Sequence, residues 1–189
     1  MSYDFFLFRP KDGDDPVVLA RRLLDEADDE MNPGKPDPDK EERKQSLAAA
    51  LVAVNPELQV YPFDHAAIAR KSGMTVKEAR RRWRHLELNG PDDGNGIQIA
   101  LYDETADLTV PYWHHGEDAR RTVWEVWRYL EVLEDEGDFV TYDPQLERVL
   151  DLGTDLDAVL AGYARGTAHL QRVVLQSSPR KKRPWWRFW

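Results

Sequence analysis

The 189-residue chain contains no cysteine. Disulfides, thiolate metal centres and cysteine nucleophiles are therefore excluded, and a reducing compartment is the expected setting. Long apolar runs are also missing: no stretch approaches the ~20 residues a membrane-spanning helix needs. The opening MSYDFFLFRP has no positive n-region, and Asp4 interrupts its apolar run, so it does not resemble a secretory signal. The expected address is the cytoplasm, with the tail described below able to hold the protein at the inner face of the membrane. Several signatures of catalysis are absent as well. There is no GxxxxGK[ST] phosphate loop, no GxGxxG, no HExxH and no GxSxG. These absences favour a protein without intrinsic catalysis and with no cofactor.

Charge is abundant but uneven. The net charge is -9, from 26 basic and 35 acidic residues. Five of the basic residues, Arg180, Lys181, Lys182, Arg183 and Arg187, lie in the last ten positions with no acid among them. Setting those five aside leaves 21 basic against 35 acidic residues, a balance of -14 for the body. Such a body repels nucleic acid and attracts basic partners, chiefly by speeding encounter. The acid-rich segments Asp25 to Glu30 and Asp92-Asp93 supply candidate partner-binding residues: Asp25, Asp28, Asp29, Glu30, Asp92 and Asp93.

Periodicity divides residues 1–176 into alternating elements of one domain. Tyr3 to Phe8 reads as a strand stopped before Pro10, and Pro16 opens a helix lined by Val17, Leu19, Ala20, Leu23 and Leu24. Met31 to Lys40, rich in proline, is a loop. Glu41 to Val54 places Leu47, Ala50, Leu51 and Val54 on one helical stripe. Leu58 to Pro62 reads as a short strand, and 63–89 as a helical hairpin broken at Gly73-Met74-Thr75. Ile97 to Tyr102 and Leu108 to Trp113 alternate as a strand pair around Asp103 to Ala106. Glu117 to Glu136 is the clearest helix, with Ala119, Val123, Val126, Trp127, Leu130 and Leu133 on one face and Gly137 as its stop. Two further strands flank Asp143-Pro144-Gln145. A capping box at Thr154 and Asp157 starts a last helix to about Leu175. This order implies an α+β fold: a mainly antiparallel sheet with helices packed on one face and the helical hairpin embedded in it.

The hairpin segment IARKSGMTVKEARRRWRHL resembles a helix-turn-helix unit, with small residues at Ala69 and Ala79 around the turn glycine Gly73. Its second helix carries Lys77, Arg80, Arg81 and Arg84, the candidate contacts of an alternative nucleic-acid-binding regulator. Arg82 stands where the motif has an aliphatic anchor, and a hairpin packing through Ala79, Trp83 and Leu86 explains the same residues. The pair His114-His115 could form a metal corner with Asp118. Adjacent strand histidines point to opposite sides, which favours a capping role, and no metal ligands are assigned.

Residues 177–189 form a separate tail ending KKRPWWRFW, with a hinge at Ser177-Ser178-Pro179. Three of the seven tryptophans fall in the last five positions. Trp185, Trp186, Arg187 and Trp189 are candidate partner-binding residues, since tryptophan and arginine anchor protein interfaces. The same residue types suit a membrane interface.

The segments MSYDFFLF, GIQIALYDETADLTVPYW, the tryptophan-bearing helix that follows and FVTYDPQLERVLDL resemble a family of uncharacterised bacterial cytoplasmic proteins. Small acidic α+β proteins of that kind are similar to toxin-immunity proteins. The resemblance implies a non-catalytic, immunity-like or adaptor protein that holds a basic protein partner, and it carries no site residues.

Overall fold

A computed structural model describes residues 1–26, 35–90 and 94–177. Among these the chain forms six helices and one seven-stranded sheet. The strands are β1 (Ser2–Phe8), β2 (Gln59–Val60), β3 (Leu86–Asn89), β4 (Gln98–Leu101), β5 (Thr105–Pro111), β6 (Val140–Asp143) and β7 (Arg148–Val149). The helices are α1 (Pro16–Glu26), α2 (Pro38–Val54), α3 (His65–Ser72), α4 (Val76–Arg82), α5 (Gly116–Gly137) and α6 (Leu156–Ser177). Strand order is β2-β3-β4-β5-β1-β6-β7, and every pairing is antiparallel. The α+β class with an antiparallel sheet is thus as the sequence implies. Two-residue strands close both edges, which leaves little unpaired backbone for another chain to template on.

The alternation of β1 explains the layering. Tyr3, Phe5 and Leu7 point into the main core, with Ile99, Leu101, Leu108 and Val110 from the neighbouring strands. Leu47 and Leu51 of α2, Val126, Leu130 and Leu133 of α5, and Val159 and Tyr163 of α6 cover this face. Phe6 and Phe8 point the other way and form a second cluster with Tyr142 and with Leu19 and Ala20 of α1. Helices therefore lie on both faces of the sheet, not on one. The reason is local: FFLF makes both faces of β1 apolar, so each requires a cover.

The hairpin segment also differs. Helix ends at Arg82, and Leu86–Asn89 is strand β3, paired with both β2 and β4. Leu86 and Leu88 alternate with Glu87, and pairing to an existing sheet overrides the helical propensity of Arg, Leu and Glu. The turn itself matches its motif. Gly73 takes a left-handed conformation with φ +68, Thr75 caps α4, and Ala69 and Ala79 are buried. At the end of α5 the left-handed residue is Asp138, with φ 53, one position beyond Gly137. Gly137 instead admits the Phe139 ring, which a Cβ there would meet at 2.6 Å. Helix α6 begins at Leu156 and includes Ser177, so that residue belongs to the helix.

Close approach also dictates the glycines of α6. A Cβ on Gly166 would run into the Tyr112 ring, and one on Gly162 would lie 2.8 Å from the Tyr3 hydroxyl. Alanine in mid-helix usually adds about 1 kcal/mol of stability over glycine. Here overpacking outweighs it, and Gly166→Ala should lower stability by a net ~1–2 kcal/mol in urea denaturation. A gain in stability would mean that α6 is not seated on Tyr112.

Candidate functional site

The helix-covered faces leave one part of the sheet open. Strand β5 alternates half-exposed Thr105, Asp107, Thr109 and Pro111 with buried Ala106, Leu108 and Val110. On β1 the outward positions change from half-exposed at Ser2 and Asp4 to buried at Phe6 and Phe8, where α1 begins to cover them. Register places Asp107 opposite Phe6 and Ala100, and Ala100 opposite Glu87, in one row across four strands. Asp4, Thr109, Gln98 and Asn89 form the next row. Asp4 and Asp107 are thus diagonal cross-strand neighbours, at a typical spacing of about 7–8 Å.

An aromatic wall stands beside these rows. His85 stacks on Tyr102 with ring centroids 5.0 Å apart, and Phe63 meets His85 edge-on at 4.7 Å. The result is a surface with acidic side chains on its floor and flat rings along its side.

Electrostatics make the floor unusual. Among the described residues Asp4, Glu87 and Asp107 have no ion-pair partner. Burial first, and then the Asp4 charge, push the Asp107 carboxyl up to about 6, with the Tyr102 hydroxyl partly opposing them. Tyr102 is raised to about 12 by burial, then by Asp107 and Glu87. His85 is lowered to about 4, by burial first and then by Lys44. Among the described residues, one ring nitrogen of His85 and Oδ1 of Asn89 are buried without a hydrogen-bond partner. Three carboxylates make the face rich in acceptors, and a guanidinium or ammonium group brings only donors.

The sequence-derived candidates fall in different places. Asp25 is exposed on α1. Asp28, Asp29, Glu30, Asp92, Asp93, Trp185, Trp186, Arg187 and Trp189 lie outside the described residues. Lys77, Arg80 and Arg81 are exposed on α4. Arg84 is not available to a ligand: its side chain is 7% exposed and pairs with Asp103 and Glu41. Lys44, 2% exposed, donates to Asp103 Oδ1 at 3.0 Å, to Glu41 Oε1 at 3.1 Å and to the Arg84 carbonyl at 3.1 Å. These four charges fasten α2 to the α4–β3 link and the β4–β5 turn. Arg84 follows the last turn of α4, where the chain has already left the helix for β3, so its basic character serves the core.

The histidine pair separates as well. His114 Nε2 lies 2.6 Å from the Asn95 carbonyl, and His115 Nε2 3.3 Å from Gln171 Nε2. Among the described residues no group of three or more potential ligands is placed to hold a metal ion. No helix among them is long and apolar enough to cross a membrane. Asp143 accepts from the Gln145 and Leu146 backbone N–H groups, which explains the Asp-Pro-Gln turn as hairpin chemistry, and takes the Tyr3 hydroxyl at 2.5 Å. No family model matches the chain, and no curated protein and no solved structure is found to be related to it.

Proposed function

We propose that the protein is a non-catalytic, immunity-like or adaptor protein of the cytoplasm, and that its open sheet face receives cationic side chains of a basic protein partner. The observation that carries this is the half-buried Asp107 carboxylate, beside Asp4 and without an ion-pair partner among the described residues. Leaving a carboxylate partly desolvated without a counter-charge is unfavourable for the isolated fold. A lysine or arginine from a partner removes that penalty on binding, so the surface is strained when empty and satisfied when filled. The half-buried rings of Tyr102 and Phe63, packed on buried His85, add aromatic surface against which a guanidinium can stack. The remaining charge of the acidic body draws a basic partner in.

A hexa-arginine peptide with blocked ends is a suitable probe. Titrated into the full chain, it should shift the amide resonances of β1, β4 and β5 saturably. Asp4→Asn/Asp107→Asn should weaken the interaction at least tenfold. Lys77→Ala/Arg80→Ala/Arg81→Ala should leave it unchanged or slightly strengthen it. Shifts spread evenly over all acidic surfaces, with no effect of the double substitution, would remove the sheet face from consideration.

The nucleic-acid alternative retains one supporting observation. Arg70, Lys71, Lys77, Arg80 and Arg81 are all exposed on α3 and α4. It loses Arg84 to the buried ion cluster, and α4 is only seven residues long. Salt-sensitive retention on mixed-sequence DNA, abolished by the α4 triple substitution, would favour it.

A further inference from the structure

A second surface lies away from the open sheet face, between α5 and α6. It is a groove of about 560 Å³, lined largely by apolar atoms. Two contacts show the helices running antiparallel along it. His115 meets Gln171 at one end, and the Trp127 indole donates to the Leu152 carbonyl beyond the other. Ala161, Ala164 and Ala168 of α6 line the groove and remain exposed, with half-buried Leu160 beside them. Ala119 and Arg120 face them from α5. One turn beyond Arg120, the Trp124 indole is 52% exposed. The helix thus has an uncovered apolar strip where its own sequence offers no bulky side chain to fill it.

We propose that this groove is the docking site of the chain's own C-terminal segment, Arg180 to Trp189. Two features point to that occupant. The first is reach. Helix α6 is described to Ser177, six residues past Gln171 of the groove lining, and twelve residues follow it. From Ser177 back to the level of Ala161 is about 24 Å at the helical rise of ~1.5 Å per residue. Eight extended residues at ~3.3 Å span roughly 26 Å, so a segment reversing at Ser178-Pro179 brings Trp185 to Trp189 over the alanine strip.

The second feature is chemical fit. Alanines leave room for indoles, and Trp185, Trp186, Phe188 and Trp189 supply four large apolar groups. Pro184 restricts the segment and lowers the entropy lost on docking. Arg120 can stack on an indole, and Asp157, which lines the groove near its far end, is positioned for Arg187.

Because the chain lacks cysteine, a single introduced one takes a nitroxide label uniquely. A label at Ala164→Cys should reduce the indole N–H signals of Trp185, Trp186 and Trp189 several-fold in the full chain. A label at Val18→Cys, on exposed α1 across the sheet, should leave them intact. Equal intensities with the two labels would overturn the proposal. So would signal loss when labelled chain is mixed with isotopically enriched unlabelled chain, because the segment would then be docking on a second copy. The label sits in the groove, so a label-free measurement accompanies it. Trypsin should cut after Arg180, Lys181 and Lys182 at least fivefold faster in Ala164→Arg than in the wild-type chain. An unchanged cutting rate would also overturn the proposal.

Discussion

Asp103→Ala should destabilise the protein by about 3–5 kcal/mol, because it strips two buried cations of their shared carboxylate. Lys44 and Arg84 are 2% and 7% exposed, and Asp103 takes both. Glu41 would be left to neutralise the two, and its side chain is 36% exposed. Against a typical total of about 5–15 kcal/mol, this loss moves the urea midpoint by a large fraction of its value. Replacing the charges together by apolar side chains of similar size, as in Lys44→Met/Arg84→Met/Asp103→Leu, should recover much of the loss. A single-substitution loss below about 1 kcal/mol would show that these charges are solvated and that Arg84 is free to serve a ligand.

Asp107→Asn has the opposite sign. It should raise stability near pH 7.5 by about 1–3 kcal/mol while weakening cationic ligands tenfold or more. The folded carboxyl titrates at about 6, against an ordinary 3.8. Moving a titration midpoint by one pH unit corresponds to about 1.4 kcal/mol. A raised carboxyl favours the folded state fully below its ordinary value, and that advantage is lost as pH rises through about 6. Above that pH the ionised group therefore opposes folding, and the neutral amide does not. His85 works against this in the same window. Its value is depressed from 6.5 to about 4, so it contributes stability that is lost as pH falls between those values. Whole-protein profiles will partly cancel. The stability of the wild type minus that of Asp107→Asn isolates the aspartate, and it should fall as pH rises from about 4 to 6. A destabilised Asp107→Asn at pH 7.5 would mark Asp107 as a structural residue. Stability lost for function is the pattern expected of a binding surface.

The helices with wide apolar stripes were legible in the sequence, because α5 repeats its apolar residues at helical spacing along most of its length. The alternation of GIQIAL and of LTV likewise marked β4 and β5. Three features were not legible. Strand β3 is four residues of Leu-Glu-Leu-Asn, whose propensities favour helix until neighbouring strands supply pairing. The second helical layer depends on Phe6 and Phe8 finding α1, a tertiary choice that apolar content on both faces of β1 permits but does not demand. The acidic site was hidden by distance and by strand bounds. Asp4 and Asp107 are neighbours only through the β1–β5 register, and β5 begins at Thr105, three residues earlier than its apolar alternation suggests. Aspartate is depleted in strands, so Asp107 falls outside the strand read from Leu108 onward. Arg84 was misleading for a related reason: a cationic run looks uniform in sequence, and only the fold shows which member meets Asp103.

Binding at the sheet face turns on the environment of one carboxyl group, and carbon-detected NMR titration of Asp107 tests it most directly. In the free chain its midpoint should lie near 6. With hexa-arginine bound, a cation beside the carboxylate should bring the midpoint down by roughly one pH unit or more, towards the ordinary carboxylate range. A midpoint near 6 that stays unchanged at saturating peptide would contradict a cation site at Asp107, since the peptide would then be bound elsewhere.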